Sequence, residues 1–417
     1  MSRPSTEALT SLLSEWLPSQ RWFLGNGSHA LVTIRQRIEI DLNTELVALT
    51  ADRHGYCVPL TYDGDDAIDA ADHPSGQLAL LAHCLGRPVD ELPEFRSIKK
   101  VTAEQSNTSI IYRFAEPVEG SAGIIMKIFR VLNAGKNPDV ELQKALDAAG
   151  SHAVPRQYGS AMMDLIGTNE YGSGPAHILV AQEFLEGATE AWQWITSAWP
   201  QGSTTAPPTL GQIQELGAVT REIHTKLAEL FPAPEASEEQ RTAIVKSWHS
   251  RARAAIEAAP ELEPYAGAVT ELFEAAAKAD WPELQRIHGD YHLGQVLYAQ
   301  NAGWKVLDFE GEPLRSLAER NAPDLALRDV AGMLRSFSYA AGAGVREADV
   351  PVETTKNWET AAREAFLAGY GEIPEAHQAL LRALILDKAL YEVRYEATYR
   401  PSWLDIPLTG VRELLTN

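Results

Sequence analysis

Apolar positions change period several times along this chain, and each change marks a different kind of element. Three- and four-residue spacing over the first stretch predicts a helix from Glu7 to Trp16. Alternation then takes over, and Ala30–Ile40, Thr44–Leu49 and Tyr56–Tyr62 read as strands with turn signals such as Asp63-Gly64 around them. Gly76–Cys84 reads as a short helix and the Pro-containing run from Arg87 to Pro93 as a connector, so residues 1–90 form one unit.

A second set of strands begins near Arg96. Ser97–Val101 and Ser109–Phe114 read as a hairpin around the polar turn 102–108, and Gly123–Phe129 is a third strand. A helix begins at Pro138 and runs to Leu146, and Pro155–Ala161 with His177–Phe184 complete a small antiparallel sheet over residues 91–186. Beyond Gly187 the pattern turns helical. Leu210–Phe231, Glu238–Ala259, Leu325–Ala341, Asn357–Gly369 and Glu375–Tyr399 carry apolar residues at helical spacing, and Trp199–Pro208 and Phe231–Glu238 read as loops.

At 417 residues the chain is too long for one ordinary core. Its 36 basic and 57 acidic residues give a formal net charge of −21, which repels nucleic acid and anionic membranes. The same charge would repel a free nucleotide, so a nucleotide site needs Mg²⁺ and locally placed cations. Only Cys57 and Cys84 are present, without metal-type spacing. No run reaches the ~18 apolar residues of a membrane span and the N-terminus lacks an apolar signal core. A reduced, cytoplasmic protein is the expectation.

The chemistry concentrates in His288-Gly289-Asp290-Tyr291-His292-Leu293-Gly294-Gln295 and in Val306-Leu307-Asp308-Phe309-Glu310. An Asp, an amide five residues on and a second Asp ending an apolar strand are the parts of a phosphoryl-transfer site. Asp290 would take the proton of an attacking hydroxyl, and Gln295 and Asp308 would offer oxygens to Mg²⁺. Either Asp alone is an ordinary turn or strand-end residue; the ordered set carries the reading. His288 reads as a turn-fixing residue, and His292 is placed to touch substrate. Lys127, flanked by apolar residues on its strand, needs an anionic partner, and ATP phosphates would serve. Glu141 on the following helix is a candidate to pair with it, with Asp139 left open. No Gly-rich loop is present; Gln105-Ser106-Asn107-Thr108-Ser109 stands in its place, either as phosphate donors, Ser106 and Asn107 foremost, or as a plain polar hairpin turn. Glu183 and Leu185 occupy the hinge position where backbone would read adenine. On the last long helix Lys388, Tyr391 or Glu392, Tyr395 and Tyr399 share one face. Mixed charge and aromatic character suits a sugar, the alternative being a packed tyrosine stripe.

These segments resemble those of bacterial maltokinases, relatives of the aminoglycoside phosphotransferases. The likeness rests on His288–Leu297, on Val306–Arg315, on Leu327–Phe337, on Asp387–Glu396, on Arg400–Leu404 and on Gln20-Arg21-Trp22-Phe23. It implies an α+β, bilobal, protein-kinase-like fold with an extra N-terminal mixed α/β cap subdomain (1–90), an N-lobe (91–186) and a helix-rich C-lobe (187–417). It further implies phosphorylation of maltose by ATP with Mg²⁺ to α-maltose 1-phosphate, feeding α-glucan synthesis from trehalose. Asp290 would then be the base, Gln295 and Asp308 the metal ligands, and Lys388, Tyr391 and Tyr395 part of the maltose subsite. A complex with a trehalose-processing enzyme is compatible with the cap. The alternatives are a glucosamine or aminoglycoside kinase of the same fold, which shares the His-Gly-Asp segment, and a non-catalytic nucleotide-binding regulator, which retention of Asp290, Gln295, Asp308 and Lys127 disfavours.

Overall fold

The computed structural model describes residues 3–25, 27–101, 107–168, 172–312 and 315–416. They form two compact units, one of residues 1–147 with 155–187, the other of 148–154 with 188–417.

The N-terminal unit opens with helix α1 (Thr6–Trp16), whose first turn is capped by Ser5 accepting the Ala8 N–H at 3.2 Å. Strands β1 (Val32–Glu39), β2 (Thr44–Ala51), β3 (His54–Asp63) and β4 (Asp66–Asp69) follow in an antiparallel meander. Helix α2 (Pro74–Leu85) starts on a proline and ends on Gly86 in the left-handed region. A second antiparallel sheet, in the order β5-β6-β7-β10-β9, is built from β5 (Phe95–Lys100), β6 (Asn107–Val118), β7 (Ser121–Phe129), β9 (Gln157–Thr168) and β10 (Gly172–Glu183). Helix α3 (Pro138–Ala148) lies between β8 (Val131–Leu132) and β9 in the chain.

The two sheets share one interior. Short β8, which follows β7 directly, pairs with β3 of the first sheet. Leu46, Cys57, Leu80 and Leu81 of the first ninety residues pack in the same buried cluster as Ile110, Tyr112, Met126 and Ile178. Arg130, 1% exposed, donates to Asp69 at 2.8 Å and to Thr108 at 2.9 Å and lies over the Trp22 ring, so it ties the two sheets together.

In the C-terminal unit β11 (Thr189–Glu190), β12 (Val296–Ala299) and β13 (Gly303–Val306) form a small antiparallel sheet. Around it lie α4 (Ala191–Ala198), α5 (Leu210–Leu230), α6 (Glu238–Ala258), α7 (Ala266–Ala277), α8 (Leu317–Asn321), α9 (Leu327–Ala348), α10 (Val352–Tyr370), α11 (Glu375–Tyr399) and α12 (Asp405–Thr416). Helices α5 and α6 each begin with a reciprocal capping box, Thr209 with Gln212 and Ser237 with Gln240. Helix α9 is the central one: Leu327, Val330, Leu334, Phe337 and Ala341 recur at helical spacing and are buried. No described helix is long and apolar enough to cross a membrane.

Candidate active site

The His288–Gln295 segment joins β12 to the core and is held from α9. Asp329, 2% exposed in the first turn of α9, accepts the His288 N–H at 2.8 Å and the Gly289 N–H at 2.9 Å, one on each carboxylate oxygen. The same carboxylate meets His224 Nε2 at 3.0 Å, and His224 Nδ1 meets the Tyr370 hydroxyl at 3.0 Å. The His288 ring donates from Nε2 to the Leu307 carbonyl at 2.8 Å and accepts the Asp290 N–H on Nδ1 at 3.3 Å. His288 therefore fixes the turn, as its position suggested. Gly289 has φ +83°, a region that costs a side chain dearly, and a Cβ there would press on the Gly311 backbone. Further along, the Leu293 N–H donates to Ser336 Oγ at 3.0 Å and Tyr291 shares a hydrogen bond with Thr220 at 2.9 Å.

Asp290 emerges from this frame beside Lys388, whose ammonium lies 3.0 Å from its Oδ1 and 3.4 Å from Glu312 Oε1. Burial works against ionising Asp290, yet the Lys388 ammonium and the His292 and His288 rings prevail, holding the carboxyl below its ordinary range. Burial also opposes the Lys388 charge, and Asp290 with Glu312 overcomes it, so this lysine stays protonated well past its ordinary range. Glu312 is likewise held low against burial by Lys388, Arg315 and Arg328. Behind these groups the charges alternate without a gap. Arg315 reaches Glu312 at 3.0 Å and Asp324 at 3.3 Å, Arg328 reaches Asp324 at 2.7 Å and Asp387 at 3.1 Å, and Arg251 closes on Asp387 at 2.6 Å.

Gln295 and Asp308 meet directly, the amide Nε2 donating to Asp308 Oδ2 at 3.2 Å. Asp308 stands at φ +62°, a strained setting for a residue other than glycine and typical of functional positions. The Leu307 N–H donates to the Gln295 carbonyl at 2.9 Å, which ties the two segments. A carboxylate and an amide oxygen are hard donors, and a turn of the Gln295 amide brings both to one point, so these residues fit a Mg²⁺ ion. His292 caps the short turn before β12, its Nδ1 accepting the Gly294 N–H at 3.0 Å, and burial lowers its proton affinity.

The structure thus gathers Asp290, His292, Gln295, Asp308, Lys388 and Tyr391, and the Lys388 ammonium lies 5.0 Å above the Tyr391 ring. Tyr395, 40% exposed, is one turn further along α11. Glu392 is not on that face. It is buried against Arg335, which donates to it at 2.7 and 2.9 Å, because α11 packs on α9 along a second side that helical spacing alone does not reveal. In the N-terminal unit Lys127 pairs with buried Asp139 at 3.2 Å, in the first turn of α3, and Glu141, the first choice for that role, has Lys136 among its partners, at 2.8 Å. Asn107 opens β6, Glu183 ends β10 and Leu185 follows it, while Ser106 lies outside the described residues. Sequence reasoning missed Glu312 and Asp329. Both stand inside the segments that carry the family likeness, Glu312 two residues past Glu310 and Asp329 in Leu327-Arg328-Asp329, and the Arg328-Asp329 pair at the start of an otherwise apolar helix was the available signal.

A carboxylate kept ionised in a rigid turn, beside an amide–carboxylate pair at a strand end, defines a phosphotransferase of protein-kinase-like fold with an N-terminal cap and a helical C-lobe. The chain belongs to the phosphotransferase enzyme family, which it matches over residues 137–380, and it matches the maltokinase N-terminal cap domain over residues 16–84. A glucosamine kinase from Streptacidiphilus jiangxiensis is 26% identical over 404 residues, 88% of each chain. Another, from Mycolicibacterium smegmatis, is 27% identical over 343 residues, 77% of this chain and 80% of its own. Among solved structures, a glucosamine kinase (crystal form B) superposes over 100% of both chains with a TM-score of 0.75 at 20% identity. A glucosamine kinase in complex with glucosamine, ADP and inorganic phosphate does so at 0.72 and 20%. The maltokinase likeness therefore holds for the cap, and the wider relationship is to phosphotransferases that include glucosamine kinases.

Proposed function

We propose that this chain is an ATP-dependent sugar kinase. The observation that carries the reading is Asp290, a half-buried carboxylate kept ionised by Lys388 and presented by a turn whose backbone Asp329 immobilises. In this reading the sugar hydroxyl gives its proton to Asp290 Oδ as it attacks the terminal phosphoryl group in line. Gln295 and Asp308 hold Mg²⁺, which when bound neutralises phosphate charge. Lys127, kept in place by Asp139, is the phosphate ligand of the N-terminal unit, and Asn107, Glu183 and Leu185 lie along the nucleotide path.

Glucosamine is the first acceptor to try, since the curated relatives above are described as glucosamine kinases. Maltose is the second reading, and Lys388 favours it. An amino sugar would bring an ammonium to a place where Asp290 and Glu312 already hold one. A neutral sugar would instead accept the Lys388 donors on its hydroxyls.

ADP release with Mg-ATP against glucosamine, maltose, glucose, trehalose and an aminoglycoside tests the proposal, with Asp290→Asn as the blank. Turnover on a sugar that falls about 10²- to 10⁴-fold in Asp290→Asn is the expected result. Full turnover in that variant would remove Asp290 as the base, and no turnover on any acceptor would remove the sugar-kinase reading.

A further inference from the structure

A cleft bounded by α9, α10, α11 and α12 lies in the C-terminal unit and shares no lining residue with the small cavity that holds Asp290 and Lys388. Helix α12 meets α9 where glycines give room, Gly342 toward Ile406 and Gly410 toward the Arg335 guanidinium, and the cleft opens beside those contacts. At about 810 Å³ it is of the size that encloses a small organic molecule. Its walls are apolar. Leu334 and Ala341 of α9 and Leu381 and Ile385 of α11 line it, together with Leu367 of α10 and Ile406 of α12.

Exposure sorts the charged groups of the lining. Arg346, Arg382, Glu364 and Asp405 are exposed, where water and salt screen them, and half-exposed Lys356 and Glu413 pair with each other at 2.5 Å. Arg335, Glu359 and Arg363 are more deeply set, and Arg335 is already committed to Glu392. Arg363 is left with Glu359, 3.5 Å away, and that one carboxylate also accepts the Ser338 hydroxyl at 2.5 Å and meets Lys356 at 3.4 Å. Burial, aided by the Arg335 charge, outweighs Glu359 and draws the proton affinity of Arg363 below that of an ordinary arginine. A guanidinium nevertheless stays charged at working pH. The cleft thus holds a partly desolvated cation with only a share of one carboxylate to answer it.

We infer that this cleft is a binding site for a small amphipathic anion, with an apolar body between α9 and α11 and an acidic head on Arg363. Apolar walls alone would take any greasy molecule, and an arginine alone any anion; side by side they select a ligand that carries both. The inference stands apart from the sugar-kinase reading, since neither acceptor nor nucleotide enters it.

Fluorescence titration of the intact chain with 1-anilinonaphthalene-8-sulfonate, itself an amphipathic anion, tests it. The dye should saturate at one site, and octanoate should displace it. Thr409→Trp, which puts a ring into the cleft from an exposed position on α12, should weaken both about tenfold. Arg363→Gln should weaken octanoate about tenfold, as expected for one charge-assisted hydrogen bond, and leave neutral 1-octanol unchanged. Arg363→Lys keeps the charge and should keep most of the octanoate affinity, which separates loss of the head contact from loss of the fold. Absence of saturable dye binding, or binding that Thr409→Trp leaves unchanged, overturns the site. Equal loss of octanoate and 1-octanol in Arg363→Gln overturns the assignment of the head to Arg363. Inorganic phosphate that displaces the dye as well as octanoate does would make a bare anion the ligand and overturn the amphipathic class. Self-association on light scattering that Thr409→Trp abolishes would make the cleft a protein contact and overturn the inference. None of these readouts is a turnover, so failure of the kinase reading would leave the test standing.

Discussion

Lys388 sets the proton affinity of the group it touches. With its ammonium gone, burial is left as the main influence on Asp290, and burial favours the protonated form. Lys388→Met is therefore expected to move the acid limb of the kcat/KM profile to higher pH, and a pH–rate series at saturating nucleotide measures it. A limb that stays in place would separate the two residues functionally. Asp329 acts on the same turn through hydrogen bonds alone. Asp329→Ala strips the His288 and Gly289 N–H groups of their acceptor in a dry setting, at a cost of about 3 kcal/mol of stability, read as a lower urea midpoint. Asp290, Gln295 and Asp308 were legible in the sequence because their spacing is itself the signal. Asp329 was not, because its two bonds reach across some forty residues of chain and spacing says nothing about contacts at that range.

Helix α9 meets the catalytic segment at Gly332, where a Cβ would stand 2.5 Å from the Tyr291 carbonyl oxygen. Backbone on both sides leaves neither element free to yield. Gly332→Ala should cost about 1–3 kcal/mol, seen as a lower thermal midpoint, and should depress turnover by shifting Asp290. Among elements, α5, α6 and α11 were read within a residue of their ends, whereas α9 runs on to Ala348 past the expected Ala341 and α10 begins at Val352 rather than Asn357. Helix α7 escaped notice because its alanines at 266, 268 and 275–277 blur the polar face. Helix α12 escaped because Pro407 and Gly410 look like breakers. Pro407 falls in the first turn, where its missing N–H is harmless, and Gly410 leaves room for the Arg335 guanidinium. Glu392 shows the limit of reasoning from one helix: spacing places a side chain on a face, but the neighbours decide what that face touches.

For the molecule as a whole, acid is the revealing variable. Asp290, Glu312 and Asp324 are all held below their ordinary values, 3.8 for Asp and 4.5 for Glu, by cations that outweigh their burial. Groups shifted in this direction stabilise the fold fully above those values and lose that contribution as pH falls through the depressed ones. Buried Glu392 is shifted upward and works in the opposite sense, its strain relieved as it takes a proton. With Glu186 and Glu319 also held low and Glu190 also pushed up, the downward shifts outnumber the upward ones and predict unfolding on acidification below about pH 4, followed by circular dichroism. Acid also carries the chain through its pI near 5 to a net positive charge, so repulsion among its 36 basic residues and protonated histidines adds to the loss. Burial pushes both thiols, Cys57 and Cys84, up to about 12, and a thiol reagent at pH 8 should label neither until the N-terminal unit opens.

That unit has a consequence for the chain's history and handling. Because β8 pairs with β3, and Arg130 answers to Asp69 and Thr108 alike, the cap is a wall of the lobe it precedes rather than an ornament upon it. A chain shortened to residues 91–417 would leave Ile110, Tyr112 and Met126 facing water, and should collect in inclusion bodies. The cap is then not separable cargo: losing it dismantles the neighbouring lobe, and lineages that swap or trim it have to rebuild that shared wall.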